Sequence, residues 1–241
     1  MFKHSNEFRV IQSELILITN YKMKKLVLMA ALGLFFASCN SEKAAEATTG
    51  EAQKVTANDA GETVALDSGS TVAWRGFKTY VQDEHLGTVN IQEGTFEVAE
   101  GKLVGGTITM DMTSIICTDI GNERKRGYLE RHLRSQDFFF VDSFPTAAFE
   151  IAEVVDPSAT NKYSTVTGNL TIRGTTNSIT FPANVVVSEE DVKFMAPTFS
   201  IDRTLWGAKY HDRDDATIAE SLKDDLIDHS IELTITVKAT I

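Results

Sequence analysis

The chain has very little cysteine: only Cys39 and Cys117 occur among its 241 residues. Two cysteines allow at most one disulfide, and the context of Cys39 predicts its own modification, so we expect no intrachain disulfide in the mature protein. Cys117 follows Ile115 and Ile116. A lone thiol in such an apolar context is more often a small buried hydrophobe than a nucleophile, and we interpret Cys117 in that way.

Basic charge is also scarce. The whole chain has 23 Lys and Arg against 34 Asp and Glu, a formal net charge of −11. Residues 39–241 alone carry 18 basic and 32 acidic side chains. A protein that binds nucleic acid shows the opposite balance, because it must neutralise phosphates. We therefore exclude nucleic acid as the main partner.

Signatures of catalysis are missing as well. The sequence after the leader contains no G-x-S-x-G, H-E-x-x-H, C-x-x-C, Walker or Rossmann motif. The acidic run 212–215 lacks the glycine and the terminal glutamate of a calcium-binding loop. We predict no catalytic residue, no metal site and no enzymatic activity. The histidines after the leader, none of which has a metal-ligand spacing, are His85, His132, His211 and His229.

No apolar run is long enough to cross a bilayer as a helix, since Leu26–Phe36 has only eleven residues. A charged stretch that begins at Met23 precedes this run, and small residues before Cys39 follow it, which is the order of a bacterial lipoprotein signal. We predict a leader over 1–38 with Met23 as the true start, lipidation of Cys39, and attachment to a membrane of the cell envelope, facing the periplasm or the outer surface of the outer membrane. Residues 39–62 predict the lipidated cysteine and a flexible tether, because they have almost no large apolar side chain.

Residues 63–241 predict one antiparallel all-β domain. Apolar residues alternate in many short segments, most clearly in 229–240, which is the period of a sheet with one buried face. Arg173-Gly174, residues 189–191 and Glu93-Gly94 mark turns between strands. One segment, 121–135, has helical spacing instead. About eight strands with one inserted helix indicate a barrel or a sandwich, and an eight-stranded barrel can hold one small ligand.

A series of short motifs runs in order through residues 63–241: Trp74-Arg75-Gly76, His85-Leu86-Gly87, 101–106, 111–115, 132–139, Pro145-Thr146-Ala147, 170–174, 179–183 and 201–204. In these motifs the sequence resembles the YceI-like family, the polyisoprenoid-binding, lipocalin-like barrels of bacteria. The resemblance implies an extended antiparallel barrel whose pore takes up a long isoprenoid chain or a similar amphiphilic lipid without chemistry. The sequence departs from the family at 208–228, an acidic, helix-prone segment that leaves the shape of one barrel mouth open.

Strand parity and side-chain size then select the residues that we expect to touch the lipid. Three polar side chains are candidates for its head group, with a structural role as the alternative for each: His85, Arg173 and Arg203. We expect no cofactor other than a bound isoprenoid lipid. The alternative function is that of an envelope interaction module with a closed barrel. Whether the chain forms a homodimer is left open. The predicted pore lining is Trp74, Phe77, Phe96, Met110, Phe149, Ile172, Phe194, Phe199 and Trp206.

Overall fold

The computed structural model describes residues 44–55 and 61–241 of the chain. Two α-helices are present in these ranges, α1 (Glu123–Arg134) and the single turn α2 (Ala219–Leu222), together with 3₁₀ turns at Arg203–Trp206 and Lys223–Asp225. The strands are β1 (Ala45–Glu46), β2 (Thr48–Gly50), β3 (Glu62–Ala65), β4 (Thr71–Lys78), β5 (Glu84–Ala99), β6 (Lys102–Cys117), β7 (Thr146–Val155), β8 (Ser164–Ile172), β9 (Thr175–Val187), β10 (Asp191–Asp202) and β11 (Ile227–Thr240).

Strands β4 to β11 form a closed antiparallel barrel of eight strands. The hydrogen-bonded order is β10-β11-β4-β5-β6-β7-β8-β9, and β9 returns to β10 through four residue pairs between Val187–Asn184 and Val192–Met195. Closure removes the free edges that an open sheet would expose. The predicted all-β, lipocalin-like barrel with one inserted helix is therefore confirmed.

The turns of the barrel follow from local sequence. Arg173 and Gly174 connect β8 to β9 as a two-residue turn, and both have positive φ, 52° and 74°. This is the backbone that a tight hairpin between twisted strands requires. The predicted turn at Glu93-Gly94 is wrong: β5 continues through it with a shift of register. A side chain at Gly94 would lie 2.6 Å from Thr107 O and from Leu66 Cδ1, so the glycine allows a close approach of chains rather than a reversal.

Helix α1 lies across one end of the barrel. It begins at Asn122, whose side chain accepts a hydrogen bond from Lys125 N at 3.0 Å, a standard N-cap. Glu130 accepts from the backbone N–H of Cys117 at 3.0 Å, and Arg134 donates to Ile115 O at 2.9 Å. These bonds tie the helix to the end of β6. The helix predicted near 121–135 is confirmed as Glu123–Arg134.

Part of the predicted tether is paired with the barrel. Residues 45–46 add to β10 as a short parallel strand, and residues 48–50 pair antiparallel with β9. Asn169, which is buried, accepts from Gln53 N at 2.7 Å and donates to Gln53 O at 2.8 Å. Backbone hydrogen bonds need no large apolar side chain, which is why composition alone suggested a free tether. Residues 1–43, with the predicted leader and Cys39, and residues 56–60 lie outside the described residues.

None of the helices in the described part of the chain has the length and apolar character needed to cross a membrane.

Candidate functional site

One half of the barrel interior is filled by aromatic side chains. The Phe181 ring stacks on Phe199 with centroids 4.3 Å apart, and Phe194 contacts both Phe96 and Phe181. Phe96, Phe194 and Phe199 have no exposed surface. Such close packing leaves no room for a ligand. Five residues of the predicted pore lining belong to this closed core and do not line the cavity: Phe96, Phe149, Phe194, Phe199 and Trp206.

The other half of the interior holds an apolar cavity. It has a volume of about 120 Å³ and lies between the barrel and α1. This volume is smaller than that of a typical drug-sized site, so a larger ligand would have to extend beyond the enclosed space through the open side of the cavity. Small residues help to leave this space: Gly76, Ala147 and Ser230 line it, and a side-chain carbon placed at Gly76 would have no atom within 4 Å. Four residues of the predicted pore lining do line this cavity: Trp74, Phe77, Met110 and Ile172.

The roof of the cavity comes from α1 and the loop that follows it. Leu133 and Phe138 are buried here, and Phe139 is partly buried, all three in the cavity wall. Arg173 donates a hydrogen bond to Phe138 O and so holds this loop against the β8–β9 hairpin. Reasoning from strand parity missed these roof residues because they do not lie on strands. The signal in the sequence that could identify them is the run Phe138-Phe139-Phe140, which is unusually apolar for a loop.

A second depression adjoins the cavity at its mouth and is more polar. It shares Trp74, Phe77 and Phe138 with the apolar cavity, has a volume of about 360 Å³ and is open to solvent. We call it the vestibule. Its wall includes the acidic 208–228 segment, through Tyr210, whose ring lies 4.6 Å from that of His132. The polar residues of the vestibule are Lys78, Asp83, His85, Tyr128, His132, Tyr210, His211 and Asp225.

Among the head-group candidates, Arg203 has a structural environment. It is 3% exposed, and its guanidinium donates to three backbone carbonyls: to Asp228 O at 2.9 Å, to Ile227 O at 3.1 Å and to Ala208 O. Burial lowers the pKa of Arg203, and nearby carboxylates oppose that effect. Loss of the guanidinium would remove three hydrogen bonds to backbone carbonyls. The side chain lines the cavity, but each of its three nitrogens already donates to the backbone.

Arg173 and His85 differ in position. Arg173 is engaged with the roof loop through Phe138 O and does not line the cavity. His85 lines the vestibule and its Nδ1 lies 2.9 Å from Asp119 Oδ2. Of the three candidates, only His85 therefore faces the polar space at the mouth. Trp74, between the cavity and the vestibule, has a buried Nε1 that finds no acceptor among the described residues.

Two groups of side chains in the described residues have donor atoms close enough for a metal ion. Asp212, Asp214 and His229 form the first, in which His229 Nε2 lies 2.6 Å from Asp212 Oδ1. The second joins His85, Cys117 and Asp119 at the barrel mouth. Sequence spacing could not find the second group, because 32 residues separate His85 from Cys117 and only the pairing of β5 with β6 brings them together.

A closed antiparallel barrel with an apolar cavity at one end defines the class of small-molecule-binding barrels. The YceI-like domain profile matches residues 64–239. The chain therefore belongs to the YceI-like family, as its motifs had indicated.

Individual relatives agree with the fold. Burkholderia cenocepacia BcnA is 18% identical with a TM-score of 0.50, over 71% of this chain and 96% of that one. A polyisoprenoid-binding domain from Saccharophagus degradans is 13% identical with a TM-score of 0.50, over 73% of this chain and 97% of that one. A UPF0312 protein of Pseudomonas aeruginosa is 40% identical over 62 residues, 26% of this chain and 31% of the relative. The chain thus matches about a third of that relative's length.

Proposed function

We propose that the protein binds and carries a long amphiphilic lipid of the polyisoprenoid or isoprenoid-quinone type, without chemical change, at the cell envelope. The observation that carries this proposal is the apolar cavity joined to a polar vestibule. A lipid tail removed from water into the cavity gains roughly 25 cal/mol per Å² of apolar surface buried. The head group would remain in the vestibule, where polar side chains and solvent can bind it.

Family membership supports the same class of ligand. The solved relative from Saccharophagus degradans is a polyisoprenoid-binding domain with the same fold. Identity of 13% carries the fold and not the contacts, so the specificity for an isoprenoid chain over another amphiphile rests on experiment. The filled half of the barrel restricts the lipid to the cavity side and makes the carried length shorter than a fully hollow barrel would allow.

The direct test is the lipid content of the protein purified from its own envelope. Native mass spectrometry and extraction with organic solvent are expected to reveal a polyisoprenoid or an isoprenoid quinone in about equimolar amount. Met110→Trp, which fills the cavity, is expected to come without lipid. Met195→Trp is the matched control, because Met195 is 42% exposed on the barrel surface. Wild-type protein that consistently carries no lipid would instead favour an envelope interaction module.

The envelope location is a separate part of the proposal and rests on the sequence of the leader. Lipidation of Cys39 would place the barrel at a membrane without a spanning segment. Cys39→Ser is expected to move the protein from the membrane pellet to the soluble fraction and to abolish incorporation of labelled palmitate. An unchanged pellet fraction would show that Cys39 is not the anchor, while leaving lipid binding by the barrel intact.

A further inference from the structure

We propose that His85, Cys117 and Asp119 form a binding site for a zinc-type divalent cation at the barrel mouth. The evidence for the site does not depend on the lipid proposal: none of its three side chains lines the apolar cavity, although His85 borders the vestibule. His85 Nδ1 and Cys117 Sγ lie 2.9 Å and 3.0 Å from the two oxygens of Asp119, and the three donor atoms all lie within 4.8 Å of one another.

The donor set has the chemistry of zinc. Zinc takes thiolate, imidazole and carboxylate ligands at about 2.0–2.3 Å, which puts neighbouring ligand atoms of a tetrahedral centre about 3.3–3.6 Å apart. Taking the observed donor spacing to this geometry therefore needs changes of at most about 1.5 Å in the distances between donor atoms. Soft sulfur together with imidazole disfavours calcium and magnesium, which prefer oxygen donors. Three protein ligands leave the fourth position of the tetrahedron for water or another oxygen.

The strands hold these donors rigidly. Cys117 is paired with Gly87 across the β5–β6 ladder, and Thr118 N donates to Leu86 O at 2.8 Å. Leu86 N donates to Asp119 Oδ1 at 2.9 Å, the kind of outer hydrogen bond that orients a ligating carboxylate. The N–H of Cys117 donates to Glu130 of α1. Ligands that are held in place by paired strands and by hydrogen bonds from neighbouring groups lose little conformational entropy when they bind a metal.

Binding of an ion requires loss of the thiol proton of Cys117, whose pKa is raised by burial. Burial by itself would raise the pKa of Asp119, but hydrogen bonds from His85, Leu86 N and Cys117 outweigh it and lower the pKa to about 2. Binding of Zn²⁺ would form the Zn–S bond and release the thiol proton to solvent, with no change of oxidation state.

The proposed ion would lie next to the vestibule. His85 also lines the vestibule, so the fourth position would lie at the border of the space proposed for the lipid head group. An oxygen of a bound head group could take that position. This last step alone rests on the proposed function. The other group, formed by Asp212, Asp214 and His229, has no sulfur donor, and its Asp214 side chain is 76% exposed. We therefore use this group as a control in the zinc titration.

The test is a calorimetric titration in which zinc chloride is added to the reduced, chelator-treated protein. One equivalent is expected to bind, and Cys117→Ser and Asp119→Asn are expected to weaken binding by at least about 100-fold, since loss of even an outer-shell partner costs about 10–100-fold. Asp214→Asn is expected to bind as tightly as the wild type. Cobalt(II) is expected to give the thiolate-to-metal absorption in the wild type and in Asp214→Asn, and none in Cys117→Ser.

Circular dichroism and thermal unfolding of Cys117→Ala check that the fold survives, because alanine replaces a small buried side chain. Three results would overturn the site: no stoichiometric binding by the wild type, equal binding by the wild type and a folded Cys117 variant, or loss of binding in Asp214→Asn alone. A protein that carries lipid but binds no zinc would refute this inference and leave the proposed function standing.

Discussion

The two halves of the barrel interior are built from the same strands but are packed differently. In the filled half, inward-facing aromatic rings meet across the interior, as Phe96 of β5 and Phe194 of β10 do with ring centroids 5.9 Å apart. In the hollow half, Gly76 and Ala147 stand at inward positions, and the space above them is covered by α1 and Phe138 from outside the sheet. The difference shows that a barrel becomes a container where its strands carry small residues and another element supplies the roof.

The largest expected effect is loss of stability on truncating the filled half. Phe199→Ala is expected to lower the free energy of unfolding by about 3–5 kcal/mol, because it leaves a cavity in a fully packed core. Phe139→Ala is the matched change in the hollow half, where the ring already borders empty space and is only partly buried. Urea denaturation should show a clearly smaller loss for Phe139→Ala. Equal losses would mean that the hollow half is as tightly packed as the other.

The opposite change, adding volume, should again destabilise the filled half more than the hollow half. Phe194→Trp is expected to cost about 1–3 kcal/mol, since Phe194 has no exposed surface and no room to expand. Met110→Trp has cavity space beside it and is expected to cost less than about 1.5 kcal/mol while weakening lipid binding at least tenfold. Thermal unfolding and a lipid-binding titration on both variants check this. A destabilised Met110→Trp that still binds lipid normally would contradict the assignment of the cavity.

Low pH is expected to reduce the stability of the fold by protonating Asp119, which lies at the mouth of the hollow half. The folded-state pKa of Asp119 is about 2, below its ordinary value of 3.8, so the ionised carboxylate stabilises the fold at all pH values above about 4. This stability is lost as the pH falls from about 4 towards 2, and we expect a loss of about 1–2 kcal/mol in this window, allowing for partial exposure.

Asp119→Asn removes this titration and is expected to flatten the corresponding part of the stability curve. Urea denaturation of both proteins at pH 6, 4 and 2.5, in metal-free buffer, makes the comparison. The same fall in stability from pH 4 to pH 2.5 in the wild type and in Asp119→Asn would show that other carboxylates control the acid response.

The smallest expected difference in stability is between substitutions of the two tryptophans. Trp206 Nε1 donates to Leu170 O at 2.9 Å in the filled half, so Trp206→Phe is expected to cost about 1 kcal/mol or more for the lost bond. Trp74 Nε1 has no acceptor among the described residues, so Trp74→Phe removes an unpaired buried donor and is expected to cost less. Chemical denaturation of the two variants measures the difference. A larger loss for Trp74→Phe would point to a bridging water or another partner at Nε1.

Much of the fold could be predicted from residue patterns. The alternation in β11, the turn at Arg173-Gly174 and the helical spacing near 121–135 are local signals, and each is found where it was predicted. The N-terminal pairing with β9 and β10 was not predicted, because backbone hydrogen bonds to distant strands leave no trace in composition.

The site was less predictable, for a physical reason. The alternation of apolar residues shows that a side chain points into the barrel, as those of Phe194 and Met110 both do. It does not show which side chains from the other strands face that position. Packing between distant strands decides whether the position is core or cavity. The same limit hid the group of His85, Cys117 and Asp119, which exists only through the register of β5 and β6.

The central claim, that the lipid occupies the hollow half alone, is tested most directly by methyl NMR of the protein with a bound isoprenoid quinone. We expect intermolecular nuclear Overhauser effects from the isoprenoid protons to the methyl groups of Met110, Met112 and Ile172, all of which line the cavity. No such contacts are expected for Ile151 and Val166, which are buried in the filled half. Contacts to Ile151 or Val166, or a bound lipid with none to Met110 and Ile172, would contradict the account.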